Sequence, residues 1–142
     1  MIIWAGVLIT LCGIGHTAGS LVMTVPRYGA AWLGLELWQP ANADLVLMTP
    51  LTASFWFSSY SFGPLLLLVG LIVLWLGLRG ITPPAFIAWA LVGWTVVTTV
   101  LAGLSPLLLL PVAAVLLLVG AHRARRRGAA PAIPVGARVG LS

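Results

Sequence analysis

The stretch LTASFWFSSYSFGPLLLLVGLIVLWLGL, Leu51 to Leu78, contains no Asp, Glu, Lys or Arg. Three more stretches share that property: Ile2–Met23, Pro84–Ala102 and Pro106–Ala121. A soluble domain needs charge on its surface, and ordinary domains are about one quarter charged. Here charged residues make up 6% of the chain, hydrophobic residues 61%, and the mean hydropathy is +1.15. Charge in hydrocarbon is expensive, and about 20 apolar helical residues cross a core of about 30 Å. The reading that follows is an all-α integral membrane four-helix bundle. Its spans fall at about 2–23, 57–78, 84–102 and 106–121, within one domain covering residues 1–121. Its connections are short and Pro/Gly-linked, apart from one long external loop, and residues 122–142 form a basic, then disordered, cytoplasmic tail. Such a chain has no room for a separate soluble catalytic domain.

Charge placement orients the bundle. The net charge is +5, yet Arg123, Arg125, Arg126 and Arg127 sit together directly after the last apolar run. Basic residues beside a span mark its cytoplasmic side. Both termini and Arg79 therefore read as cytoplasmic at the plasma membrane, and the loop with Arg27, Glu36 and Asp44 as external. The same cluster reads as a topology anchor attracted to anionic lipid headgroups, each basic side chain near the surface contributing about 1 kcal/mol. Nucleic acid is not an expected partner, because no basic face is studded with aromatic side chains. The first apolar run lacks a positive leader before Arg27 and is longer than the core of a secretion signal, so it reads as a span. Cys12 is the only cysteine.

Proline and glycine set the expected boundaries. Span one ends before Pro26-Arg27, and a loop follows from about Thr24 to Pro50, with Trp32 and Trp38 at headgroup level. Leu45–Leu78 holds 34 consecutive uncharged residues, too many for one straight crossing. Pro50 opens or precedes a helix, Pro64 kinks the first turns of span two, and Phe55, Trp56, Phe57, Tyr60 and Phe62 form an aromatic belt. Residues 45–54 read as interfacial, re-entrant or part of span two, with Asp44–Met48 as a candidate short helix. Gly80 suits a left-handed helix stop, and Thr82-Pro83 a cap and first turn. Gly103, Ser105 and Pro106 repeat that logic, and Pro111 is an internal kink site. Short connections make spans two, three and four consecutive antiparallel neighbours.

His16 is, apart from Cys12, the only ionisable group well inside a span, and Cys12, His16 and Ser20 share one helix face at four-residue spacing. With Thr95, Thr98 and Thr99 of span three they could line a polar pocket. The competing reading makes His16 a hydrogen-bonding link between helices, a bond averaging about 0.6 kcal/mol. Paired haem ligation needs a second imidazole at the same depth. His122 lies near the far end, about 20 Å away at ~1.5 Å per residue, so only a homodimer could supply the pair. Gly15 and Gly19 form a GxxxG pair, and Gly63, Gly70 and Gly77 recur every seven residues as a groove. Small residues let helices approach closely, within one chain or in a homodimer.

No span carries a carboxylate, and no H-E-x-x-H, G-x-S-x-G or phosphate-binding glycine loop occurs, so proteolysis, hydrolysis and nucleotide chemistry are set aside. Small multidrug exporters centre on a Glu in their first helix, where this chain offers only His16. Gly15-His16 near the outer end of the first run, Phe55-Trp56-Phe57 with Phe62-Gly63-Pro64 before a Leu-rich span, and the Pro-linked spans three and four together resemble the family called domain of unknown function 6463. The likeness covers roughly residues 1–125. It implies a small bacterial four-helix inner-membrane protein and no mechanism. The sequence therefore reads as a non-enzymatic binding, assembly or minor transport component, with no cofactor and the lipid bilayer, a second copy or another membrane protein as partner. The alternatives are a redox subunit holding quinone or haem at His16, and a lipid-handling protein.

Overall fold

The computed structural model describes residues 1–103 and 108–128. Among them the structure is all helical, without strands. The helices are α1 (Ile2–Leu33), α2 (Pro50–Ser58), α3 (Phe62–Leu78), α4 (Ala85–Ala102) and α5 (Leu109–Gly128). Because α2 and α3 form one broken run, there are four long rods. Two of these, Ile2–Leu33 and Pro50–Leu78, are long and apolar enough to cross a membrane.

The first rod is longer than expected. It runs past the expected span 2–23 and continues through Pro26 to Leu33, so the loop expected from Thr24 is corrected to helix as far as Leu33. An interior proline removes one helical hydrogen bond and crowds the carbonyl four residues earlier. Tertiary packing offsets that cost here. Trp32 meets the Phe55 ring edge-on at 5.7 Å, and its indole Nε1 donates to the Leu51 carbonyl at 3.5 Å. Ala30, Ala31 and Leu33 are also good helix formers. At 32 residues α1 is about 48 Å long at ~1.5 Å rise.

Pro50 stands at the start of α2, where its missing N–H costs nothing, and the Thr49 hydroxyl accepts from Thr52 N as the cap. The helix breaks at residues 59–61. Ser61 then caps α3, which places Pro64 in the first turn of a new helix rather than at a kink, and the helix that carries the Leu-rich run starts at Phe62. The Asp44–Met48 segment is not helical. Asp44 Oδ1 accepts from Val46 N at 2.7 Å and Leu47 N at 3.0 Å, which folds it into a turn. Those two N–H groups, Leu47 first, hold the Asp44 carboxyl below its ordinary value. Asn42 ties the loop together: Nδ2 donates to the Glu36 carbonyl, while Oδ1 and the carbonyl accept from Thr49 and Thr52.

Gly80, at φ +70°, ends α3 in a Schellman turn, with Gly80 N donating to Gly77 O and Ile81 N to Leu76 O. Pro84, not Thr82, caps α4, and no side chain contributes to that cap. Gly103, at φ +79°, closes α4 as expected of a glycine stop. Ser105 and Pro106 lie outside the described residues, as does the tail from 129. Pro111 falls in the first turn of α5, so it has no interior bond to break. The basic cluster is not a tail, because α5 runs on to Gly128. Ala and Arg favour helix, and cations suit a helix C-terminus.

Sequence neighbours are not spatial neighbours throughout. α1 packs along α2, α3 and α5, while α4 packs on α5. α3 and α4 stand apart across a cleft instead of forming the expected hairpin. The α1–α3 contact is the tightest and follows one antiparallel register. Gly77 faces Ile2 and Ile3, Leu74 faces Gly6, Gly70 faces Thr10, Leu67 faces Gly13, and Gly63 faces Thr17. Glycine thus alternates between the two helices at seven-residue spacing, which keeps one seam in contact over several turns. The buried core is Ala5, Ile9, Leu66, Val73, Ala88, Leu91, Leu110, Ala113, Ala114 and Leu117.

Candidate functional site

His16 sits where α1 passes the start of α3. Its ring stacks on Phe62 with centroids 4.1 Å apart and meets Phe57 edge-on at 6.2 Å. Gly63 makes the approach possible, since a Cβ there would lie 2.9 Å from His16 Cδ2. The Nε2 atom is buried and has no hydrogen-bond partner. Thr10 Oγ1 and Thr17 Oγ1, in the same helix seam, share that condition.

The other residues of the expected polar pocket do not join it through hydrogen bonds. Ser20 Oγ donates to Thr17 O, Thr95 Oγ1 to Leu91 O, and Thr98 Oγ1 to Trp94 O and Thr95 O. Each hydroxyl is spent on its own helix, the usual local habit of Ser and Thr. No hydrogen bond links Thr99 to His16, and Cys12 packs half-buried against the core. Among the described residues, no three His, Cys, Asp or Glu side chains stand close enough to hold a metal ion.

Replacing His16 with Phe is expected to keep stability or raise it by about 1 kcal/mol. The stack survives, and an unpaired buried polar atom, which costs ~1–3 kcal/mol, is removed. His16→Ala is expected to cost about 2 kcal/mol through the lost stack and the cavity it leaves. Thermal unfolding in detergent checks both. A ligand-bearing histidine would give another pattern: both variants fold, and both lose a bound chromophore.

The larger feature lies next to this stack. Phe62 also faces Trp94 of α4, with ring centroids 6.0 Å apart, and the pair closes one end of the α3–α4 cleft. Leu65, Val69 and Ile72 form one wall, Phe86, Ala90 and Trp94 the other, and Leu66 and Leu91 the floor. Its volume is ≈ 540 Å³. It is not legible in the sequence, because it exists only where α4 leaves α3 to pack on α5.

The glycines divide by use. Those of α3 and Gly6 and Gly13 of α1 receive a neighbouring helix, and Gly120 of α5 receives Ile2. Gly15 and Gly19 meet nothing within 4 Å, so the expected GxxxG pair is not part of the intrachain packing. Arg123, Arg125 and Arg126 are exposed on α5, and the side chain of Arg127 lies outside the description. Comparison with protein-family models, curated proteins and solved structures finds no match to this chain in any of the three.

Proposed function

We propose that this chain is a non-enzymatic integral membrane protein with four crossings that binds an apolar chain of the bilayer in the α3–α4 cleft. The observation that carries the reading is the inversion of residue size between inside and outside. The buried set is rich in Ala, with Gly, Ser and Thr in the helix contacts, while Trp4, Leu11, Val22, Met23, Leu65, Phe86, Trp89 and Val100 are exposed. Small residues inside and large apolar residues outside suit helices packed in lipid. A core helix of a soluble protein is mostly buried, whereas only 22% of the most apolar window of Ile2–Leu33 and 17% of that of Pro50–Leu78 is buried. An exposed apolar surface of this extent calls for lipid or protein cover.

Charge supports an orientation with both ends cytoplasmic. Arg79, Arg123, Arg125 and Arg126 gather at the end where α1 begins, and Glu36 and Asp44 lie in the loop at the other end. Within the binding class, lipid handling gains most from the cleft, since its lining is apolar and opens sideways. The likeness to the domain of unknown function 6463 family belongs to the same proposal. A quinone reading keeps one supporting observation, the unpartnered Nε2 of His16 behind Phe62.

Ala90→Trp tests the cleft, because it fills the wall from an exposed position without touching the core. Native mass spectrometry of wild-type protein released from detergent is expected to show a retained lipid or prenyl adduct. The variant should bind it about tenfold more weakly, a loss of ~1.4 kcal/mol, with an unchanged melting temperature. Equal retention by both proteins would rule the cleft out as the site.

A further inference from the structure

A second cavity lies at the end of the bundle where α1 begins and α3 stops, with a volume of ≈ 380 Å³. Three elements supply its walls. α1 brings Ile2 and Ile3, the turn after α3 brings Gly80 and Thr82, and α5 brings Arg123. Arg123 is the only charged side chain among the lining residues. Both carboxylate side chains of the chain, Glu36 and Asp44, belong to the loop at the opposite end. No internal acid therefore competes for this guanidinium. Arg79, at the same end, lies over the Trp75 ring at 4.6 Å and adds positive potential without entering the cavity.

We infer that this cavity binds the phosphate group of an anionic ligand, held by Arg123. The guanidinium fork matches phosphate and carboxylate alike. The lining favours phosphate, because it draws groups able to donate from three separate elements. Beside Arg123 there are the Thr82 hydroxyl and the N–H groups of Ile2 and Ile3, which stand in the first turn of α1 and have no helical acceptor. A tetrahedral phosphate directs its oxygens, free and ester alike, out of any one plane and so can meet donors from three directions, which a planar carboxylate cannot. Gly80 presents no side chain toward the cavity, so backbone can come close to the ligand.

The same phosphate chemistry is available from a lipid headgroup or from a soluble phosphate compound. The membrane reading bears only on which source reaches the cavity. On that reading the mouth lies at the headgroup level, beside the turn that carries Arg79.

The full-length protein in detergent tests the inference by native mass spectrometry against three probes. These are phosphatidylglycerol, diacylglycerol as its phosphate-free counterpart, and inorganic phosphate. The expected result is a phosphate-dependent adduct that Arg123→Gln weakens about tenfold or more, in line with the loss of a charged hydrogen bond. Arg125→Gln removes the same charge from the same helix outside the cavity and should leave the adduct within about twofold, as exposed charges contribute little. Binding of phosphatidylglycerol identifies the lipid source. Binding of inorganic phosphate alone identifies a soluble one, and either supports the site. Equal losses in the two variants would replace the site with a diffuse basic surface. Diacylglycerol binding as well as phosphatidylglycerol, or binding of no probe, would also overturn the assignment.

Discussion

Gly13→Ala is expected to destabilise the protein by about 1–3 kcal/mol, whereas Gly15→Ala, two residues away on the same helix, should be neutral or stabilising by up to about 1 kcal/mol. The added carbon is the same and both sites are helical, so propensity favours Ala at each. The difference is what the new Cβ meets. At Gly13 it collides with the backbone of Leu67, which can yield only if α1 and α3 separate. At Gly15 it meets nothing within 4 Å. Gly70→Ala should resemble Gly13→Ala, because its Cβ would lie 2.5 Å from Thr10 N, and Gly19→Ala should resemble Gly15→Ala. Thermal or denaturant unfolding in a fixed detergent measures all four. If Gly15→Ala proved as damaging as Gly13→Ala, the assigned register would be wrong, or a second copy would occupy that face. Size-exclusion with light scattering separates those cases, since only the second changes the oligomeric state.

These glycines also mark how far the sequence could be read. The seven-residue recurrence of Gly63, Gly70 and Gly77 is visible in the chain, because one helix carries the whole pattern. Its complement on α1 is harder to see. Gly6 and Gly13 are spaced by seven as well, but Gly13, Gly15 and Gly19 all crowd one apolar run, and the familiar GxxxG spacing selects a pair that takes no part in the packing within the chain. Only a partner helix tells the two faces apart. Proline misled for a related reason. Pro26, Pro64 and Pro111 each signal a helix stop or kink by local chemistry. One is carried through by the docking of Trp32 on α2, and the other two fall in first turns where a missing N–H is harmless. Gly80 and Gly103 needed no partner to be understood, since a left-handed stop is a local property. The candidate site was the least legible part. His16 stands out by type, but its surroundings depend on Phe57 and Phe62 arriving from beyond the loop. The α3–α4 cleft depends on a packing order that short connections do not reveal.

Impermeant maleimide applied to intact cells is expected to label Gln39→Cys and leave Ile81→Cys unlabelled, with Cys12 replaced by Ala in both. The effect should be nearly all-or-none, because the two positions lie at opposite ends of the rods. Gln39 belongs to the loop that holds Glu36 and Asp44, and Ile81 follows Arg79 in the turn after α3. Both sites are exposed, so access to the reagent rather than burial decides the outcome. On the proposed four-crossing arrangement, α1, at about 48 Å, exceeds a hydrocarbon thickness of about 30 Å, and its last turns and α2 would carry the loop clear of the bilayer. The energetic bias comes from Arg79, Arg123, Arg125 and Arg126 at one end against Arg27 alone near the other. Permeabilised cells should label both positions. Labelling of Ile81→Cys alone in intact cells would invert the orientation and move the phosphate-binding cavity to the outer face. Labelling of neither until permeabilisation would mean that the loop does not reach the outside, and the four-crossing reading would fall with it. Replacing the four Arg with Gln should then produce a mixed population in which both positions label in intact cells. The helices would remain apolar enough to insert, and only the preference for which end stays inside would be gone.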